Sequence, residues 1–145
     1  MTTIAATLRM MAADSRTSWG QIQFPITKIR RTKMGIIGAA GDNKEISDFM
    51  EWAEGKRKAP GKRSAGFEAM VLNKHGLFMW TAEGPGDEVK DGYFAIGSGG
   101  DFAMGSLATQ RRLGLDMDPR LAVEAACERD AGSGPPIDFL TLRIR

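Results

Sequence analysis

Cysteine and histidine each occur once in this chain, as Cys127 and His75. One cysteine cannot close an internal disulfide, which fits a reducing compartment. One thiol and one imidazole give no ligand cluster, so neither a metal nor another cofactor is expected. Charge of one sign is also missing: 20 basic residues face 18 acidic ones, a net of +2. That balance points away from nucleic acid and from membrane surfaces. No apolar run approaches the ~20 residues that cross a bilayer. The first residues lack the basic and long apolar regions of a secretion signal, and no repeat of fixed period recurs. The chain therefore reads as soluble and cytoplasmic. Its 145 residues form a single domain, 1–145, which buries a core without staples.

What is present is a series of short apolar runs. Residues 2–7 (TTIAAT) and 10–14 (MMAAD) read as a hairpin turning at Leu8 and Arg9. Residues 15–25 are polar, with Gly20 and Pro25, and read as a loop. Strands are expected at 27–31 and 35–40. Ile46, Phe49, Met50 and Ala53 recur at helical spacing in residues 42–54, with Gly55 just past the end. Residues 55–66 hold five basic residues, three glycines and a proline, and read as a solvated loop; an acidic partner surface, such as Glu45, Asp48, Glu51 and Glu54 of a neighbouring subunit, is the alternative.

A second hairpin is expected over 67–73 and 76–81, turning at Lys74 and His75. An acidic, Gly/Pro-rich stretch over 82–91 follows, then a strand at 92–96, a glycine turn at 97–100 and a helix to about Leu113. Asp118-Pro119 caps and starts a further helix ending near Ala131. Residues 137–144 close the chain as a strand. Hairpins with grouped helices argue against a parallel sheet. Two antiparallel sheets packed face to face, with helices outside, would bury these strands on both faces. The expected class is therefore α+β, a four-layer αββα sandwich. Trp52, Phe78 and Trp80 read as core or interface, and the nine methionines as adaptable packing.

Three places could carry chemistry. If Met1 were removed, Thr2 would bear a hydroxyl and a free α-amine, which titrates near 7.7–8.0 and can serve as a base at neutral pH. Taken alone, Met1-Thr2-Thr3 is an ordinary start before a strand. Phe94-Ala-Ile-Gly-Ser-Gly-Gly100 could hold an anion at a helix start, but it lacks the spacing of a dinucleotide or P-loop motif and reads first as a tight turn. Arg129 to Gly134 is a polar cluster in which Asp130 and Ser133 read first as a local turn network.

In their order along the chain these motifs resemble proteasome β subunits and the bacterial peptidase HslV. Thr2-Thr3-Ile4-Ala5-Ala6 is similar to that family's mature N-terminus, and Ala13-Asp14-Ser15-Arg16 to its second-strand motif. Lys28 falls where the family places an active-site lysine. Gly38, in Ile37-Gly38-Ala39-Ala40-Gly41-Asp42, is matched to the glycine whose N–H forms the oxyanion hole. Ser98 lies in the glycine turn, and Asp130 and Ser133 in the late Arg-Asp…Ser-Gly motif.

The resemblance implies an N-terminal nucleophile (Ntn) hydrolase of peptide or unfolded-protein substrates. Thr2 would be its nucleophile, with Asp14, Lys28, Gly38, Ser98, Asp130 and Ser133 assisting and Arg16 in support. Ile36 and Ala40 would line an apolar specificity pocket. It also implies a homo-oligomer, ring-shaped in such proteins, with room for an ATP-dependent unfoldase partner. A second helix usual after the Gly38 strand is missing here. A small-substrate amidohydrolase of the same fold, a non-catalytic assembly protein and a nucleotide-binding module at residues 97–100 are the rival readings.

Overall fold

Strand residues that look uniformly apolar in sequence divide between two faces in the structure, a computed structural model that describes residues 1–143. In chain order the elements are β1 (Thr3–Thr7), β2 (Met10–Asp14), β3 (Arg16–Trp19), β4 (Ile22–Pro25), β5 (Ile29–Thr32), β6 (Gly35–Ala40), α1 (Asn43–Ala53), β7 (Glu68–Asn73), β8 (Gly76–Trp80), β9 (Asp87–Glu88), β10 (Tyr93–Gly97), α2 (Gly100–Arg112), α3 (Pro119–Arg129) and β11 (Ile137–Thr141). One sheet runs β10-β1-β2-β11 and the other β5-β6-β7-β8-β9.

Side chains alternate along each strand, and the clusters follow that alternation. Ile4, Ala6, Met11 and Ala13 of the first sheet meet Ile36, Ala40, Met70, Leu72 and Leu77 of the second between the sheets. Their neighbours Ala5, Ala12 and Ala95 face outward onto Ala103, Leu107, Ala122, Val123 and Ala126 of α2 and α3. Ile37, Ala39, Ala69 and Val71 face the other way, onto Phe49, Met50 and Ala53 of α1. The layers are therefore helix, sheet, sheet, helix, and the central strands β1, β2, β6 and β7 are buried on both faces. The alanines facing α2 and α3 let those helices lie close to the sheet.

Local chemistry fixes the helix ends. Asp42 caps α1 by accepting from the N–H of Lys44 (2.9 Å) and of Glu45 (3.1 Å). Asp118 accepts from the Arg120 N–H, with Pro119 at the first helical position of α3. The segment after α1 contains no second helix. Two of its five basic side chains, Arg57 and Arg63, bind within the chain: Arg57 pairs with Asp48 at 2.6 Å, and nearby the Ser64 N–H donates to Glu45 at 2.7 Å. Arg63 lies over Trp80 and donates to the Thr81 carbonyl at 2.9 Å. The loop is therefore tied to α1 and β8 at Arg57, Ser64 and Arg63, with Asp48 pairing the charge of Arg57, while Lys56, Lys58 and Lys62 stay exposed to solvent. Beneath it Phe49, Trp52 and Trp80 form an edge-packed aromatic cluster with centroids 5.2–5.5 Å apart.

Three boundaries differ from the sequence expectation. Residues 15–25 are not a loop: β3 and β4 pair as a separate hairpin around Gly20 and Gln21, matching Trp19 to Ile22 and Thr17 to Phe24. Its apolar side chains are exposed, Trp19 at 79%, so no burial pattern announced it. The acidic stretch 82–91 contains the two-residue edge strand β9, paired to β8. The last strand stops at Thr141, and the expected end at Ile144 lies outside the described residues.

Candidate active site

The chain start and the ends of β2 and β10 meet at one end of the sandwich. β1 pairs with β2 so that Ile4 faces Ala13, and with β10 so that Thr3 faces Gly97. That register sets Asp14, the last residue of β2, beside Thr3, whose N–H donates to Asp14 Oδ1 at 2.9 Å. The Asp14 side chain has no solvent exposure. It also accepts from the N–H of Arg16 (3.2 Å) and of Gly134 (3.1 Å).

Lys28, just before β5, brings a cation across from the other sheet. Its Nζ lies 3.0 Å from both Asp14 oxygens and donates to the Met1 carbonyl oxygen at 2.7 Å. With 6% of its side chain exposed, this ammonium is held only because a carboxylate and a carbonyl replace its water. The Met1 carbonyl belongs to the peptide bond that precedes Thr2. The lysine is thus anchored within reach of the atoms around residue 2.

A second network approaches from the helix side. The Thr2 N–H, a peptide amide while Met1 is attached, donates to Ser98 Oγ at 3.2 Å. Ser98 and Ser133 each donate to Asp130 Oδ2 at 2.6 Å. Since Ser133 has given its proton to Asp130, the 2.7 Å contact between Thr3 Oγ1 and Ser133 Oγ is a donation from Thr3. Burial pushes the Asp130 pKa up, but the hydrogen bonds from Ser133, Ser98 and the Gly132 backbone, helped by the charge of the chain's amino terminus, outweigh it and leave the carboxyl below its usual value.

The glycine turn wraps this end of β1. Gly97 has φ +92°, and a Cβ there would strike the Thr2 carbonyl. The Gly99 N–H donates to that same carbonyl at 3.3 Å. One amide of the turn is therefore taken up within the chain.

Two cavities flank Thr2. The larger, about 530 Å³, is lined by Thr2, Lys28, Ala39, Ile46 and Met50 among others. The smaller, about 440 Å³, is lined by Thr2 with Gly41, Glu68 and Ser98. Gly41 borders both.

Of the residues singled out in the sequence, Asp14, Lys28, Ser98, Asp130 and Ser133 converge on residues 1–3. Arg16 joins them: its guanidinium donates to the Ala131 carbonyl at 3.3 Å and ties β3 to the Asp130–Ser133 turn. Gly38 does not converge. It sits inside β6, paired to Ile29 on one side and Met70 on the other, and a Cβ on it would meet Ile4, Ile29 and Met11. It lies in a ladder with neighbours on both sides, whereas Gly41, three residues on, lines both of the cavities that Thr2 lines. Ile36 lies in the inter-sheet core at 1% exposure. Ala40 borders only the smaller cavity, while Ala39, on the opposite face of β6, lines the larger one.

Thr3 was missed. A second hydroxyl next to the first reads as strand composition, and only the alternation of β1, which turns Thr3 toward the helices, could have marked it. Among the described residues no cluster of three or more potential metal ligands occurs, and no helix is long and apolar enough to cross a membrane.

No protein-family profile matches the chain. It is 36% identical over 76 residues to proteasome subunit beta 1 of Staphylothermus marinus, a match covering 49% of this chain and 36% of that one. Similar solved structures include Thiobacillus denitrificans BPH (TM-score 0.72, 20% identity, 96% of each chain) and the same protein in complex with epoxomicin (0.74, 22%, 96% of this chain and 97% of that one). HslV from Trypanosoma brucei superposes with TM-score 0.75 at 21% identity over 98% of this chain and 99% of that one. The whole chain therefore shares its fold with these solved structures, and about half of it is similar in sequence to a proteasome β subunit, of whose length the match spans about a third.

Proposed function

We propose that the chain is a threonine peptidase in which Thr2, freed of Met1, is the nucleophile. The observation that carries this reading is the position of Lys28, salt-bridged to buried Asp14 and 2.7 Å from the carbonyl that precedes Thr2, while Ser98 holds the Thr2 nitrogen from the other side. Once the Met1–Thr2 bond is cut, that nitrogen is an amine. The nearby ammonium disfavours a second positive charge and lowers the amine's pKa.

The Thr2 hydroxyl then attacks a substrate carbonyl as the amine takes its proton, directly or through water. The tetrahedral oxyanion needs a backbone donor, and Gly41, bordering both cavities beside Thr2, is the candidate in place of Gly38. The amine returns the proton to the leaving nitrogen, and water hydrolyses the ester left on Thr2. Asp130, through Ser98, orients the amine. Ala39, Ile46 and Met50 give the larger cavity an apolar wall beside Lys28, which favours an apolar side chain before the scissile bond. A homo-oligomer is part of this reading, because the likeness is to proteasome and HslV chains.

The test combines mass spectrometry and kinetics. Purified protein is incubated with epoxomicin, the ligand named for the BPH complex, and the adduct is mapped. An apolar tripeptide fluorogenic substrate is then compared between wild type and Thr2→Ala. An adduct on Thr2 of chains lacking Met1, and loss of turnover in the variant, are expected. Equal rates in the two proteins, or turnover by chains that all retain Met1, would refute the reading.

A further inference from the structure

The two cavities beside Thr2 differ in charge, and the proposed chemistry orders them. The general base that receives the hydroxyl proton is also the acid that protonates the departing nitrogen, and it is the Thr2 amine held by Ser98. The larger cavity is walled by Lys28 and lacks Ser98; the smaller is walled by Ser98 and lacks Lys28. The leaving half of the substrate therefore lies on the Ser98 side, in the smaller cavity.

Apart from Thr2, and from Met1, which the proposed cleavage removes, the walls of that cavity are small, formed by Ala40, Gly41, Gly66, Gly97 and Ser98, and Glu68 alone brings an ionisable side chain. Glu68 opens β7 and is half-buried. Among the described residues its carboxylate forms no salt bridge and takes one long hydrogen bond, from the Gly97 N–H to Oε1 at 3.5 Å. Such a bond leaves most of its acceptor capacity free. A partly desolvated carboxylate on the wall of a cavity with no other ionisable side chain attracts a cation and repels an anion more strongly than one in open water.

We propose that Glu68 is a specificity-determining residue that selects a lysine or arginine side chain immediately after the scissile bond. This rests on the peptidase reading of Thr2 and adds a substrate preference to it.

The test uses quenched-fluorescence peptides that share an apolar residue before the cleaved bond and carry Lys, Gln or Glu after it, with the cut position confirmed by mass spectrometry. The expected order of kcat/KM is Lys, then Gln, then Glu, with about tenfold between the extremes at low salt and less at high salt. Glu68→Gln brings the Lys and Glu peptides to within about twofold, and Glu68→Lys reverses their order. Thr2-dependent cleavage of the Lys and Glu peptides at equal kcat/KM by wild type overturns the Glu68 assignment alone. A preference for Lys that survives in Glu68→Gln overturns it as well. Absence of Thr2-dependent cleavage of any peptide overturns both this proposal and the reading beneath it.

Discussion

Replacing Asp14 by asparagine keeps the shape of the side chain and removes its charge. All the hydrogen-bonding atoms around the Asp14 carboxylate are donors: Oδ1 accepts from Thr3 N and Lys28 Nζ, and Oδ2 from Arg16 N, Gly134 N and Lys28 Nζ. Whichever way the new amide is turned, its NH₂ faces two or three donors and loses their bonds. Lys28, almost fully buried, is left without a counter-charge. Breaking a buried pair from one side costs about 3–5 kcal/mol, against a total stability of about 5–15 kcal/mol. For a domain of this size that lowers Tm by about 10 °C or more. Lys28→Met should cost less, because three backbone N–H groups still hold the carboxylate. The double variant should be no less stable than Asp14→Asn alone, since it removes the stranded cation. Thermal and urea unfolding of the four proteins tests this order. An Asp14→Asn variant within about 1 kcal/mol of wild type would show that the pair does not hold the site.

Three further outcomes follow from the same geometry. Thr3→Val removes the donor to Ser133 at a cost of about 1 kcal/mol, and it shifts the pH profile of kcat/KM, whereas Thr3→Ser restores both; equal profiles in all three proteins would leave Thr3 a packing residue. Asp130 has its pKa lowered in the fold, so its contribution to stability is present above the unfolded-state value of about 3.9 and is lost as pH falls through the lower folded value; Tm measured from pH 5 downward should drop less steeply in Asp130→Asn. Burial, with the Asp14 charge adding to it, pushes the Cys127 thiol up from 9.0 to about 11, so at pH 8 its alkylation should be about 100-fold slower than that of a free thiol, and rapid labelling of folded protein would contradict the burial.

Much of the fold is legible because burial writes itself into composition. Ile4, Ala5 and Ala6 are all apolar since β1 is covered on both faces, and the Asp42 and Asp118 caps announce α1 and α3 without any tertiary information. Where burial is absent that signal fails. The β3–β4 hairpin exposes Trp19, Ile22 and Phe24, and its polar neighbours with Gly20 and Pro25 describe a loop equally well. Motif order singles out Asp14, Lys28, Ser98, Asp130 and Ser133, each distinctive in type, and the structure gathers them around residues 1–3. The same order points to Gly38 and gives no weight to Gly41, an identical residue three positions on. That choice depends on where β6 ends: Gly38 lies within the ladder, and Gly41, with φ +134°, lies beyond it. The pocket residues raise a related question, since Ala39 and Ala40 differ in the face of β6 they occupy and each lines a different cavity beside Thr2.

Parity links these cases to the chemistry. Thr2 borders the two cavities while Thr3 points into the Ser133–Asp130 network, because successive strand residues face opposite ways. Which of two identical hydroxyls is open to a substrate is therefore set by the register of β1 against β2 and β10. That register also aligns Thr3 with Asp14 across the turn at Leu8 and Arg9. Losing one residue from this turn would bring Ala12 and Met11 onto each other's faces, forcing a methionine under α3 and an alanine into the inter-sheet core. The packing of Met11 against Ile4 and Met70 resists that slip over the whole strand. The core thus holds Asp14 in register with the chain start, and the ion pair with Lys28 acts on a position that hydrophobic packing has already chosen.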